Sequence, residues 1–259
     1  VQGFKKPECA LSQTQHWNKV WQTMKFSRPL ARGVLIRRYK RFLADVRLED
    51  GTEITAHCAN PGAMLGLKEA GQRVWLSKSD NPKRKLAYSW ELTEADNTMI
   101  GINTARPNAL VEEAINNGTI AELQGYASLR REVRYGQNSR IDILLSDADK
   151  PDCYVEVKNV HLLRTARLYE FPDSVTSRGA KHLSEMANMV AQGYRAVMVY
   201  LIQRDDGDRL HFAADIDPAY ASALAKAHEA GVEAIAYVCR LTPEGIEAYR
   251  SVPVEIPQG

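Results

Sequence analysis

From Met24 to about residue 95, apolar and polar residues alternate in short runs; beyond that, the spacing lengthens in places to three and four. A period of two belongs to half-buried strands and a period of 3.6 to amphipathic helices. The segment ARGVLIRRYKRFLADVRLEDGTEITAHC (31–58) reads as strands broken at Glu49-Asp50-Gly51, a hairpin turn. QRVWLSKS (72–79), KRKLAYSWELTEA (83–95) and NTMIGINT (97–104) add further short strands. Strands this short and turns this frequent predict a small barrel, and a five-stranded OB-like barrel fits the length.

The second part changes period. ARPNALVEEAINNGTIAELQGY (105–126) predicts a helix with Asn108 as a candidate cap, an apolar face of Leu110, Val111, Ala114 and Ile115, and a stop at Gly118. Three strands follow in SLRREVRYG (128–136), SRIDILLS (139–146) and CYVEVKNVHLL (153–163). SRGAKHLSEMANMVAQG (177–193) places Leu183, Met186, Ala187 and Val190 at helical core spacing. The apolar run RAVMVYLIQR (195–204) reads as a central strand buried on both faces. A helix from about Pro218 to Glu229 and a strand from about Glu233 to Cys239 complete an α/β sandwich on a mixed sheet, α+β for the chain as a whole. The expected division is a barrel over 24–95 and an α/β domain over 96–259. Residues 1–23 show no clear period and read as an extension outside the domain, although Trp17 and Trp21 at i, i+4 spacing allow a short docked helix.

The 259 residues are 44% hydrophobic and 25% charged, enough for a sizeable core and two domains. No apolar run approaches the ~20 residues that cross a bilayer, so a cytoplasmic location and no membrane partner are expected. The four cysteines lack metal-binding spacing. The net charge of +2 hides an asymmetry: Lys and Arg against Asp and Glu count 14 to 8 over residues 24–95 (+6) and 17 to 23 over 96–259 (−6). A basic part suits a polyanion and an acidic part suits a metal ion, while solvated faces that merely differ would give the same count.

Within the basic part, Arg37, Arg38, Tyr39, Lys40, Arg41 and Phe42, and again Lys83, Arg84, Lys85, Tyr88 and Trp90, interleave cations with rings. Cations neutralise phosphates and rings offer stacking surfaces, so these are candidate nucleic-acid contacts; plain inside–outside alternation is the competing account. HCANPGAM (57–64) reads as a turn, with Gly62 free to take positive φ, rather than as a His57/Cys58 nucleophilic pair.

In CYVEVK the period of two puts Tyr154, Glu156 and Lys158 on one face. A hairpin with the preceding strand would bring Asp142 beside Glu156. Adjacent carboxylates repel unless a cation such as Mg²⁺ or Mn²⁺ sits between them, and the backbone carbonyl of Val157 could add a ligand. Lys158 would face the phosphate or the water that attacks it. A solvated cross-strand ion pair would show the same spacing.

Asp142 followed by Glu156-Val157-Lys158 within an αβββαβ order resembles the PD-(D/E)xK nuclease fold. RYKRFLADV, HCANPGAM, NPKRKLAYSWEL, SRIDILL, PDCYVEVKNV and FPDSVTSRGAKHL resemble segments of the sugar fermentation stimulation protein A family, a likeness that covers about nine-tenths of the chain, from Met24 onward. It implies an OB-like domain, a nuclease-like domain, DNA as partner, and a regulatory role in sugar metabolism, with a homodimer allowed. Carried over, Asp142 and Glu156 match the metal carboxylates and Lys158 the catalytic lysine. Glu113 matches the accessory acid, with Glu112 and Glu132 as competitors. Asp173, Arg178, Lys181 and His182 are expected along the same cleft, where Arg178 or Lys181 and a helix N-terminus could hold phosphate; helix capping is the alternative. His161 and His211 read as ordinary surface or strand histidines. Two functions remain: a DNA-binding regulator with a weak or vestigial metal site, and an active Mg²⁺-dependent nuclease.

Overall fold

The computed structural model describes residues 24–136 and 139–258; the expectations for residues 1–23 and for Cys9 lie outside them. After a two-residue strand β1 (Met24–Lys25), five strands form a barrel: β2 (Ala31–Tyr39), β3 (Leu43–Leu48), β4 (Glu53–Cys58), β5 (Arg73–Lys78) and β6 (Tyr88–Ala95). β7 (Thr98–Gly101) continues the sheet beyond β6, and β4 closes the barrel on β6 through His57 opposite Ser89 and Cys58 opposite Trp90. Alternation points Leu35, Val46, Cys58, Leu76, Trp90 and Ile100 inward as one core.

Three local features depart from the sequence pattern. RRYKRF is not one strand, because Lys40 and Arg41 take positive φ (47° and 63°) in a tight turn between β2 and β3. The Arg38 guanidinium holds that turn by donating to the carbonyl of Arg41. KRKLA (83–87) is loop rather than strand, begun by Asn81, whose side chain accepts the Lys83 amide at 3.0 Å. The β6–β7 hairpin turns at Asp96 and Asn97, both at positive φ, so a boundary at residue 95 falls inside a barrel hairpin; the barrel's sheet ends at Gly101.

The second domain contains α1 (Pro107–Asn116), β8 (Ser128–Tyr135), β9 (Ser139–Ser146), β10 (Cys153–Val160), β11 (Leu162–Thr165), β12 (Arg167–Phe171), α2 (Ser177–Ala191), β13 (Arg195–Ile202), β14 (Gly207–Phe212), α3 (Pro218–Glu229), β15 (Glu233–Thr242) and β16 (Gly245–Val252). Its main sheet runs β1-β16-β15-β13-β10-β9-β8 and is mixed, with β10, β13 and β15 parallel. β13 is central, as its apolar run predicts. Val197, Val199 and Leu201 pack on the α1 side, and Met198, Tyr200 and Ile202 on the side of α2 and α3. A second, three-stranded sheet, β11-β12-β14, and the strand β16 have no counterpart in the sequence reading. The three-stranded sheet is short and its register slips at Leu162/Thr165 and Arg167/Leu168, so little period survives to be read.

Polar contacts lock the barrel to the sheet. Arg106 donates two hydrogen bonds to the buried Glu91 (3.0 and 2.7 Å), which also accepts from Asn103 and Ser77. The Gly101 amide bonds the Gln203 carbonyl at 2.9 Å. On another side, Asp173 accepts the Met64 amide at 3.0 Å.

Candidate functional site

The β9–β10 ladder pairs Cys153 with Leu145, Tyr154 with Leu144 and Val155 with Ile143, then stops. Where the next pair would form, the Asp142 carboxylate takes over from the backbone: its Oδ2 accepts the Val157 amide at 2.8 Å, and its Oδ1 accepts the Asn108 side chain from α1 at 2.8 Å. Asp142 thus sits where two strands part, held from both sides.

Glu156, only 3% exposed, is held from α2 and from its own strand. Its Oε1 is bonded by His182 Nδ1 and by Lys158 Nζ, the latter at 2.6 Å. The Arg178 Nε donates to His182 Nε2 at 3.3 Å, and since guanidinium can only donate, the imidazole proton lies on Nδ1, facing Glu156. Glu156 Oε2 is buried with no hydrogen-bond partner among the described residues, as are both oxygens of Glu185 and the hydroxyl of Tyr135. Glu185 lies one turn beyond His182 on α2, with Lys181 Nζ at 3.7 Å.

Electrostatics separate the two strand carboxylates. Burial pushes the Asp142 carboxyl above its ordinary value, and the charge of Glu156 adds to the shift. Burial also pushes Glu156 up, but the bond from His182 and the Lys158 ammonium outweigh it and hold Glu156 below its ordinary value. Burial, then the charges of Glu156, Glu185 and Asp142, raise the Tyr135 phenol.

A match to the SfsA N-terminal OB domain covers residues 36–102, and a match to the sugar fermentation stimulation protein RE domain covers residues 105–245. The sugar fermentation stimulation protein homolog of Rhodospirillum centenum is 61% identical over 88% of this chain and 98% of its own. That of Maricaulis maris is 57% identical over 91% and 100%. The chain belongs to the sugar fermentation stimulation protein family. A solved relative, SfsA of Pyrococcus furiosus in complex with Ca²⁺, superposes with a TM-score of 0.82 at 26% identity, covering 90% of this chain and 99% of that one.

In this SfsA-family structure Asp142, Glu156 and Lys158 do come together, as the strand pattern predicts. Val157 meets Asp142 through its N–H, not through the carbonyl expected to add a ligand. Glu113 does not: its carboxylate accepts the Met24 amide at 3.1 Å, on the side of α1 toward β1 and Glu247. Glu112 pairs with Arg131, and Glu132 is an exposed residue at φ 54° within β8, at a position left out of an otherwise unbroken β8–β9 register. The α1 residue that reaches Asp142 is Asn108, which lies inside the helix; the cap position belongs to Arg106. Glu185 and Tyr135 escaped the sequence reading, which took Asn108 only as a cap. For Glu185 a signal existed, since His182, Glu185 and Met189 put two polar groups on a helix face that is otherwise apolar.

The barrel cations are more occupied than their pattern implies. Arg37 pairs with Asp45 at 2.8 Å. Arg38 donates to the carbonyls of Arg41, Asn60 and Gly62, and Arg41 to that of Pro61. Arg84 bonds Ser89 at 2.6 Å. Among the described residues, the side chains of Lys40, Lys83 and Lys85 have no ion pair or hydrogen bond. Trp90 is fully buried in the barrel core and offers no stacking face; Phe42 is exposed.

The HCANPGAM segment is a turn, with Asn60 accepting the Gly62 amide at 2.9 Å. Gly62 is required by close approach rather than by positive φ: a Cβ there would stand 2.5 Å from the Asp173 carboxylate. Cys58 is buried, which raises its thiol pKa. Asp173 and His161 face each other at 3.2 Å, so His161 is a buried junction residue and not an ordinary strand histidine. At the α2 N-terminus the Thr176 side chain accepts the Gly179 amide, the capping that was the alternative to a phosphate site.

Among the described residues no three His, Cys, Asp or Glu side chains already form a ligand set. Two strand carboxylates, one with an unpartnered buried oxygen, nevertheless fit a hard divalent cation that keeps several of its waters.

Proposed function

We propose that this protein binds DNA and that Asp142, Glu156 and Lys158 form its divalent-cation-dependent phosphodiester-hydrolysing site. The observation that carries the reading is the Glu156 Oε2 atom, a carboxylate oxygen left buried and without a hydrogen bond beside a second carboxylate. Such a group is costly unless something positive meets it. Asp142 and Glu156 would hold Mg²⁺ or Mn²⁺, and the Ca²⁺ complex of the Pyrococcus furiosus relative supports a divalent ion. Bound there, the ion would lower the pKa of a coordinated water and offset charge on the scissile phosphate.

The chain's own residues do the positioning. Asn108 and the Val157 amide fix Asp142; His182, steadied by Arg178, fixes Glu156. Lys158 is bonded to Glu156 at rest, and on ligand binding its ammonium would turn to a phosphate oxygen or to the attacking water. That resting bond also favours a second reading, binding without cleavage, in which Lys158 only neutralises Glu156.

The test is incubation of labelled single-stranded, duplex and branched DNA with Mg²⁺, Mn²⁺ or EDTA, beside Glu156→Gln and Lys158→Ala. Metal-dependent cutting lost in both variants, with binding retained by Lys158→Ala, supports hydrolysis. Binding without cutting in every metal selects the second reading, and no binding overturns both.

A further inference from the structure

The outer edge of the mixed sheet carries a charge arrangement that the site does not use. β8 is an edge strand, paired only with β9. In the antiparallel register Arg134 of β8 stands directly opposite Arg140 of β9, and both are exposed. Like charges facing each other across a ladder destabilise it. Several exposed arginines of this protein have acidic partners, as in Arg47 with Glu53, Arg73 with Glu94 and Arg240 with Glu247. Arg134 and Arg140 have no ion pair or hydrogen bond among the described residues.

The pair flanks a concavity of about 460 Å³ whose wall includes Tyr135 and Ser139. Tyr135 ties this concavity to the acidic site: its buried hydroxyl has no hydrogen-bond partner among the described residues and feels Glu156, Glu185 and Asp142. Arg140 lies two residues before Asp142 on β9, about 7 Å along it.

We propose that Arg134 and Arg140 form a track that holds DNA backbone phosphates next to the phosphodiester at Asp142 and Glu156. The inference rests on the functional reading above and adds the surface that receives the chain. Guanidinium forks match phosphate oxygens two bonds at a time, and two unpaired forks side by side suit a repeating polyanion. Charges on edge strands also guard against sheet-to-sheet pairing, but a guard belongs on β8 alone, whereas Arg140 sits on the inner neighbour.

The experiment is fluorescence anisotropy of labelled duplex and single-stranded DNA in EDTA across a salt series. It compares the unmodified protein, R134Q/R140Q, R134K/R140K and K83Q/K85Q, each with a thermal midpoint. Two lost phosphate contacts should lower the slope of log affinity against log salt by about 1.8 for duplex and about 1.4 for single strands. R134K/R140K should keep the slope, and R134Q/R140Q should melt no lower than the unmodified protein, because a repulsion has been removed. If the unmodified protein binds and R134Q/R140Q binds with the same slope, the track is overturned while the functional reading stands. Unchanged affinity with new higher oligomers would assign the pair to edge protection and overturn it equally. If the unmodified protein binds no DNA at any salt, the functional reading fails and the track with it.

Discussion

The Asn108 amide donates to Asp142 Oδ1 at 2.8 Å, joining the first turn of α1 to the point where β9 and β10 separate. A helix residue that looks like a cap therefore orients a carboxylate. Asn108→Ala removes one of the two bonds that favour ionised Asp142. Asp142 should titrate higher still, Ca²⁺ or Mn²⁺ affinity by calorimetry should fall, and stability should drop by about 1 kcal/mol.

Cation affinity should also depend on pH. Asp142 is raised above its ordinary 3.8 by burial and then by Glu156, so the fold favours its proton. A bound cation needs the ionised form and must displace that proton. Affinity should rise with pH through the raised Asp142 value, level off above it, and release protons on binding, which calorimetry in two buffers measures.

Glu156 gives the opposite sign. Its folded value lies below the ordinary 4.5 because His182 and Lys158 outweigh burial. The ionised carboxylate therefore stabilises the fold above that ordinary value, and the contribution is lost as pH falls through the folded value. Removing the His182 bond with His182→Ala should raise the Glu156 value and shrink the stability difference between pH 7 and pH 4 in urea titrations.

Arg38 should behave as a structural residue. It bonds three backbone carbonyls in two barrel turns, so Arg38→Ala should lower stability by about 2 kcal/mol and leave the salt dependence of DNA binding nearly unchanged. Lys83→Gln with Lys85→Gln should leave the melting temperature in place and reduce that salt dependence.

Gly62→Ala would drive a Cβ against the Asp173 carboxylate and should cost about 1–3 kcal/mol in thermal or urea unfolding. Asp173→Ala in the same chain should recover part of that loss, which a double-mutant cycle would read as coupling between barrel and sheet.

The strands and helices with unbroken periods were readable, from the β13 run to α3, whose bounds Pro218 and Glu229 match. The proximity of Asp142 to Glu156 was legible from the hairpin of β9 and β10, although the ladder between the strands ends before the two residues would pair. What alternation cannot encode is a side chain that replaces a backbone group, so the end of the β9–β10 ladder at Asp142 and the bond from Asn108 that steadies it stayed hidden. Charge patterning misled in the barrel for a related reason: Arg37 and Arg38 look like phosphate ligands, yet their partners, Asp45 and the Asn60 and Gly62 carbonyls, lie on other strands and turns. The short sheet β11-β12-β14 was lost because bulged registers erase the period.

Glu113, with the outline of an acid catalyst, instead fastens Met24 beside β16, where β1 pairs Met24 with Ile246. The chain thus enters the barrel from one element of the mixed sheet and leaves it into α1, which packs on that same sheet. The barrel is suspended between two covalent tethers rather than hung from one. Its orientation on the mixed sheet is set like a bridge span between fixed piers, and loosening the Glu113 pier would be felt at the barrel before it was felt at Glu156.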